Sequence, residues 1–431
     1  MKTDFTTDQQ ADPQIQMMEE ILRKCVHCGF CLASCPTYSV LGDERDSPRG
    51  RIYLIKDMLE QGGAPNPEIV THVDSCLSCL ACMSACPSGV HYQHYIDHAR
   101  VYVEENYQRP WFDRLIRSSL SNILPYAGRF RVALKLAKFA KPFSFLFGQK
   151  LSSMIKMAPS KMPRATLPDG VNVYPAEGTT KKRIALLMGC AQKILRPSIN
   201  EATIRLMTRL GCEVVIAEGA GCCGALTHHL GKDDEARQFA KANIDAWMSA
   251  IDQGGLDAIV INAAGCGTEV KDYAFLFKDD PVYQKNAQII SALAKDVTEV
   301  IAELELQKSS TSDLPSVVYH DACSLMHGQG ITQQPRQQLE QVGFDLEEIP
   351  GQHYCCGSAG SYNLLQPIMA DELKDRRQGG IDKVLEAGNA QILATGNIGC
   401  LVQLADGANI PVVHTVELLD WATGGPKPSN I

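Results

Sequence analysis

Two runs of four cysteines constrain this chain more than any other feature: Cys25-Val-His-Cys28-Gly-Phe-Cys31-Leu-Ala-Ser-Cys35-Pro36 and Cys76-Leu-Ser-Cys79-Leu-Ala-Cys82-Met-Ser-Ala-Cys86-Pro87. Both read Cys-x2-Cys-x2-Cys-x3-Cys-Pro. Two-residue spacings let three thiolates of one short loop converge on one iron–sulfur cube, while the fourth cysteine enters a helix pointing away and serves the other cube. The expected ligand sets are therefore Cys25, Cys28, Cys31 and Cys86 for a first [4Fe–4S] cluster, and Cys76, Cys79, Cys82 and Cys35 for a second. The proline after each fourth cysteine turns the chain away after ligation. Zinc is the alternative occupant of Cys-x2-Cys pairs, but zinc sites rarely need a third and fourth cysteine in this register. Two cubes side by side exchange single electrons, so the motifs point to an electron relay and not to bond chemistry.

Seventeen cysteines would suggest disulfides in a secreted chain, but the N-terminus, MKTDFTTDQQADPQ, is polar and lacks the apolar core of a secretory signal. A cytoplasmic location is expected, where clustered cysteine is a metal signal. At 431 residues and 45% apolar content the chain is expected to form several domains. No run of apolar residues is long enough to span a bilayer, since Val132 to Phe147 is interrupted by Lys135, Lys138 and Lys141.

The insert between the two motifs holds Gly42-Asp-Glu-Arg-Asp-Ser-Pro-Arg-Gly-Arg51 and then the amphipathic Ile52 to Leu59. It is long enough to carry helices of its own. Arg49 and Arg51 are candidates to lie beside the anionic clusters, where positive charge favours the reduced state, with surface arginines before a helix as the alternative. His91, His94 and His98 follow at near-helical spacing. With no carboxylate in register, they are expected to form a polar helix face and not a metal site.

From Arg183 onward the cysteines repeat. Cys190 is followed 32 positions later by Cys222-Cys223-Gly224, and Cys323 is followed 32 positions later by Cys355-Cys356-Gly357. Cys266 then lies 43 positions after Cys223, and Cys400 lies 44 after Cys356. Each unit is expected to read strand, helix, strand, helix, strand. In the first unit these are Ile184 to Met188, Ser198 to Leu210, Glu213 to Ala217, Asp233 to Ile251 and Ala258 to Ile261, an α/β pattern with a mainly parallel sheet. Every cysteine of the unit falls past a strand's carboxyl end, where such sheets place their ligands. Cys190, Cys222, Cys223 and Cys266 in the first unit, and Cys323, Cys355, Cys356 and Cys400 in the second, are candidate ligands of one or two further clusters. Vicinal disulfides or plain packing of small apolar residues are the alternatives.

The net charge of −8 hides an asymmetry, because residues 114–164 contain eleven Lys or Arg and no Asp or Glu. The stretch is also apolar and aromatic, from Arg129-Phe-Arg131-Val-Ala-Leu-Lys135 to Phe143 and Phe147. Such a segment is suited to the headgroup region of an anionic membrane, or to docking on an acidic partner or the chain's own acidic domain. Nucleic acid is not an expected partner.

The motifs resemble those of two-cluster ferredoxin domains fused to paired cysteine-rich "CCG" domains, as in heterodisulfide reductases and iron–sulfur subunits of membrane-associated oxidoreductases. Ser47-Pro-Arg-Gly-Arg-Ile52, Met188-Gly-Cys190, His320-Asp-Ala-Cys323, Cys355-Cys-Gly-Ser-Ala-Gly360 and Gly396-Asn-Ile-Gly-Cys400 look most like the iron–sulfur subunits of bacterial glycolate oxidase. The resemblance covers nearly the whole chain. It implies a multidomain fold: an α-helical ferredoxin-type domain (15–105), a basic helical linker (106–180), and two tandem α/β CCG units (181–306 and 314–425). It also implies a partner flavin subunit that oxidises glycolate to glyoxylate, while this chain passes electrons toward membrane quinone at the cytoplasmic face of the inner membrane and turns over no substrate alone. No flavin or nicotinamide site is expected in the chain itself. One departure stands out: the fuller CCG motif closes with Cys-x-x-Cys, whereas here Cys266-Gly-Thr-Glu and Cys400-Leu-Val-Gln keep four cysteines of five. Disulfide chemistry of the heterodisulfide reductase kind, or service to another 2-hydroxy-acid or glycerol-3-phosphate dehydrogenase, are the alternative functions.

Overall fold

The computed structural model describes all residues except 160, 161, 164–171, 308–313, 351–353 and 389, so Lys161 and Arg164 of the basic stretch lie outside the described residues. The N-terminal region is wholly helical. Helices Pro13–Lys24, Pro48–Gln61, Pro67–Asp74 and Tyr92–Asn106 pack around Met18, Ile55, Val73, Tyr95 and Ile96, all fully buried. Three of these helices open on proline behind a capping side chain: Asp12, Ser47 and Asn66 each accept a hydrogen bond from a first-turn backbone N–H. Proline is tolerated there because its missing N–H would have no intrahelical partner. The cysteine loops run between these helices.

Two α/β units follow. The first sheet contains β1 (Val173–Tyr174), β2 (Lys182–Leu186), β3 (Cys212–Val215), β4 (Ala258–Ile261) and β5 (Ala294–Asp296), in the order β1-β3-β2-β4-β5. The second contains β6 (Val317–His320), β7 (Leu346–Glu348), β8 (Ile392–Thr395) and β9 (Val412–His414), in the order β7-β6-β8-β9. All pairings are parallel except β1 with β3, and the order β3-β2-β4-β5 repeats as β7-β6-β8-β9. The duplication read in the cysteine spacing is thus a duplication of topology.

Several expected boundaries shift. The first strand runs Lys182–Leu186 and not Ile184 to Met188, and the second runs Cys212–Val215 and not Glu213 to Ala217. In each, the apolar run continues past the last hydrogen-bonded pair into the loop that carries the cysteines. A strand was missing from the three-strand expectation as well: β5 reads Ala-Lys-Asp and has no apolar run to announce it. Val173–Tyr174, at the end of the expected linker, joins the sheet as its antiparallel edge.

Alternation along β2 shows how the units are joined. Ile184 and Leu186 face a core shared with Val317, Tyr319, Leu393 and Leu401 of the second unit, while Ala185 and Leu187 face a separate layer around Trp247. Asp420, 1% exposed, locks the two units by accepting from Arg205 at 2.7 Å and Arg209 at 2.6 Å. The ferredoxin-type helix Tyr92–Asn106 lies against the first unit. Gly231, at φ +79°, approaches it so closely that a Cβ would stand 2.3 Å from the Arg100 carbonyl oxygen. The three histidines of that helix are therefore at an interface and not on a solvated face. His94 stacks on Phe275 and His91, and its Nε2 lies 3.0 Å from Asp272 Oδ1, a carboxylate supplied from far along the chain.

Two histidines of the first unit complete this interface with opposite preferences. Burial opposes the His228 charge, but Glu269 at 3.0 Å, with Asp97 and Asp233, outweighs it and lifts the imidazole from 6.5 to about 10. Burial, aided by Arg100 and His228 against the pull of Asp97, holds His229 down to about 4. A raised folded-state value means that the His228 contribution is complete below the unfolded value of about 6.5 and is lost as pH rises toward about 10. The wild-type protein is expected to lose stability across that window in denaturant titrations, and His228→Gln is expected to flatten the difference; parallel curves would place the charge elsewhere.

Candidate metal centres

The two N-terminal loops share a backbone form that their sequences do not share. His27 and Gly29 flank Cys28 at φ +55° and +84°, and Ser78 and Leu80 flank Cys79 at φ +51° and +61°. Left-handed backbone at a non-glycine residue costs on the order of 1 kcal/mol or more and persists where surroundings over-determine it. Here it coils each loop so that its cysteines face one point, and the short helices Phe30–Ala33 and Ala81–Ser84 then carry the chain to Cys35 and Cys86.

The first loop closes on a small pocket lined by Cys25, Cys28, Cys31, Cys86 and Cys82 between Pro48, Ile52, Val90 and Tyr92. The fourth cysteine of the second motif is therefore at the first site. Cys28 is exposed, and Val26 and Phe30 beside it are each 66% exposed, so this site reaches the surface. The second group is deeper: burial and then the charges of Cys79, Cys76, Cys35 and, from the first loop, Cys31 push Cys82 up. Arg51, 1% exposed, lies against it. Its Nη1 is 3.9 Å from Cys35 Sγ, Nη2 donates to Asp46 at 3.1 Å and Ser75 at 2.8 Å, and Nε donates to the His72 carbonyl at 2.7 Å. Arg49 lines the first pocket and donates to the His27 carbonyl at 3.2 Å. Both arginines of Ser47-Pro-Arg-Gly-Arg thus reach the cysteine sites.

Each CCG unit gathers four thiols into a chain of contacts. Cys190 meets Cys222, which meets Cys223, which meets Cys266; Cys323 meets Cys355, which meets Cys356, which meets Cys400. Like charge decides what such a group can be. Two thiolates 4 Å apart repel by about 4 kcal/mol at an effective dielectric constant of about 20, so four ionise together only around a cation. Without one, a neighbouring thiol and burial push Cys190, Cys323 and Cys356 up, while hydrogen bonds from Cys323 and Cys356 hold Cys355 down, so the quartet does not ionise as a whole. This donor set fits thiolate-bound iron. Cys212, the seventeenth cysteine, sits alone in β3, fully buried, and packs as a small apolar residue.

Cys79 of the ferredoxin-type region joins Cys323 and Cys355 in one small cluster with Leu77, Tyr362, Ala370 and Leu373. Ser84 Oγ and His327 Nδ1 are 2.9 Å apart across the same junction, and the Thr268 hydroxyl, two residues from Cys266, donates to the Ser324 carbonyl at 3.0 Å. The segments bearing all these cysteines are contiguous. Sequence reasoning missed Tyr362, whose hydroxyl donates to the Ser75 carbonyl at 3.2 Å, because its partner is remote in sequence.

The basic stretch divides into two faces. Arg117 donates to Asp74 at 2.9 Å and Asp113 at 3.0 Å, and Ile116, Leu120, Phe130 and Leu134 are buried, so one face docks on the chain itself. On the other, Arg131, Lys135 and Lys138 are exposed beside Leu136 (65%), Phe139 (79%) and Phe145 (77%), and these three cations pair with no carboxylate among the described residues. No helix among those residues is long and apolar enough to cross a membrane.

Family models described as a 4Fe-4S dicluster domain and a cysteine-rich domain match residues 21–90, and residues 184–271 and 317–405, respectively. The chain is 38% identical to the "Glycolate oxidase iron-sulfur subunit" of Escherichia coli (strain K12), over 98% of this chain and 99% of that one. It is 32% identical to the "Probable glycolate oxidase iron-sulfur subunit" of Bacillus subtilis (strain 168), over 95% and 96%. "Lactate utilization protein A" of Exiguobacterium sp. is 28% identical over 55% of this chain and 96% of its own length.

Arg51→Leu tests the buried centre of the second cysteine group. Asp46 would stay buried without its cation, and breaking such a pair typically costs about 3–5 kcal/mol. Chemical denaturation is expected to show a loss of that order; a loss below about 1 kcal/mol would mean that Asp46 is satisfied by His72 and Ser75 alone.

Proposed function

The chain belongs to the family of glycolate oxidase iron–sulfur subunits, and from that membership we propose that it is the electron-transfer subunit of a glycolate-oxidising complex. In this reading a partner flavin subunit takes two electrons and two protons from glycolate to give glyoxylate. This chain receives the electrons singly and delivers them toward membrane quinone at the cytoplasmic face of the inner membrane. Cys25, Cys28, Cys31 and Cys86 would hold one [4Fe–4S] cluster, Cys76, Cys79, Cys82 and Cys35 a second, and the CCG quartets one or two more. Bound there, the clusters supply one-electron storage, which a flavin-to-quinone link requires.

The observation that carries the proposal is the succession of cysteine groups from exposed Cys28, which lines one pocket with Cys82, to Cys79, which acts on Cys82 and packs with Cys355. It offers an entry at the surface, where Val26 and Phe30 form an apolar rim, and leads inward to the CCG units. Thiol–disulfide catalysis is the weaker reading, since Cys222, Cys223, Cys355 and Cys356 are at most 5% exposed and a disulfide substrate could not reach them. In the assembled complex, Cys79→Ser is expected to leave glycolate-dependent dye reduction by the flavin subunit intact while lowering quinone reduction at least about tenfold. Equal loss of both activities, or glycolate oxidation by this chain alone, would sink the assignment.

The second face of the basic stretch suits the quinone end. Lys135 and Lys138 would meet anionic headgroups at about 1 kcal/mol each, with Phe139 and Phe145 in the acyl boundary. The double variant Phe139→Glu/Phe145→Glu is expected to weaken sedimentation with phosphatidylglycerol-containing vesicles by at least about tenfold without lowering dye-linked activity. Undiminished sedimentation would exclude this face as the membrane contact.

A further inference from the structure

The two CCG quartets are alike in their cysteines and unlike in what surrounds them. Three residues before the first cysteine of each unit stand Leu187 and His320, both buried. The glycine after each cysteine pair packs against a helix carbonyl, Gly224 on Ala236 and Gly357 on Ala370, which sets the two helices in correspondence. Two turns further along those helices stand Asn243 and Arg377. In the first unit, then, the quartet is flanked by a leucine and by an amide whose Nδ2 donates to the Cys222 carbonyl at 2.8 Å. In the second it is flanked by an imidazole and a guanidinium.

His320 and Arg377 act on each other. Arg377 Nε donates to His320 Nδ1 at 2.9 Å, so that ring nitrogen is an acceptor and the proton of the neutral ring is on Nε2. His320 is fully buried, and its Nε2 finds no partner among the described residues. A buried polar atom without a partner costs about 1–3 kcal/mol and calls for an explanation. A donor atom of His320 lies with Cys356 Sγ and Cys400 Sγ, all within 4.8 Å of one another. Burial opposes the charge of Arg377, 2% exposed, while Cys323, Asp321, Cys356 and Cys400 favour it.

We propose that His320 and Arg377 set the charge balance of the second CCG quartet, His320 by donating its Nε2–H to a sulfur of the group held there and Arg377 by placing a fixed positive charge behind it. This rests on the reading that the second quartet holds an iron–sulfur cluster. Hydrogen bonds to sulfur and a nearby cation both favour the more negative, reduced state. One electron leaving the ferredoxin-type site oxidises it by one unit and reduces the second CCG site by one, with no bond made or broken. The first quartet, with Leu187 and Asn243, lacks this stabilisation, so the second is the higher-potential member of the pair.

The test uses the full chain, purified anaerobically, in redox titrations followed by electron paramagnetic resonance. His320→Leu is expected to lower the potential of the second CCG signal by about tenfold in its one-electron equilibrium, about 59 mV, and to leave the ferredoxin-type signals in the same sample unmoved. His320→Gln, which keeps an N–H donor, is expected to recover most of that shift at unchanged iron content. An unmoved potential in His320→Leu would overturn the proposal, as would loss of the signal and its iron in both variants, which would make the histidine a ligand. A wild-type protein with no signal beyond the two ferredoxin-type ones would instead overturn the underlying reading that the CCG quartet holds a cluster.

Discussion

Repulsion among crowded thiolates is the constraint on which the rest of this structure depends. Crowded cysteine side chains cannot all ionise together without a cation, yet this chain gathers sixteen of them into four groups, the first open to the surface at Cys28, and much of its architecture holds them. The left-handed turns at His27, Gly29, Ser78 and Leu80 aim the loops. Arg51 adds a buried positive charge beside Cys35, fixed by Asp46, Thr37 and Ser75. In the α/β units, parallel strands deliver cysteines from their carboxyl ends, and glycines such as Gly357 let helices approach the vicinal pairs closely. A group that needs metal to carry charge is thus embedded in a fold that keeps its positions fixed.

The arrangement of the groups gives the molecule a direction. The first is open to the surface at Cys28, the second touches the second CCG quartet through Cys79 and Cys355, and the two CCG units share one core. An interface of polar side chains, Gln93 and His94 with Asp272 and Asp97 with His229, seats the helical region on the first unit. These contacts hold the cysteine groups in register with one another, which a relay demands more than any single site does.

The local part of this was legible in the sequence. Two-residue cysteine spacing identifies the ferredoxin-type loops because ligation there is nearly all local, and the recurrence of Cys-Cys-Gly identifies the duplicated units because the repeat preserved its spacing. What depends on distant partners was not legible. The carboxylate for His94 comes from Asp272, and β5 lacks any apolar signature. Arg377 is the instructive case: beside Arg376 it reads as surface charge, yet Ala370, Leu373, Ile381 and Val384 place it on the buried stripe of its helix. A charged residue on an apolar stripe was the available signal, and it pointed at the second quartet.

The central claim, that the cysteine path continues beyond the N-terminal pair into the CCG units, is tested most directly by counting iron and acid-labile sulfide per chain after anaerobic purification. About twelve or more irons per chain are expected, with matching sulfide: about eight for two cubes and about four for a cluster in the second CCG quartet. A value of about eight, unchanged after reconstitution with iron and sulfide, would confine the clusters to the helical region and contradict it.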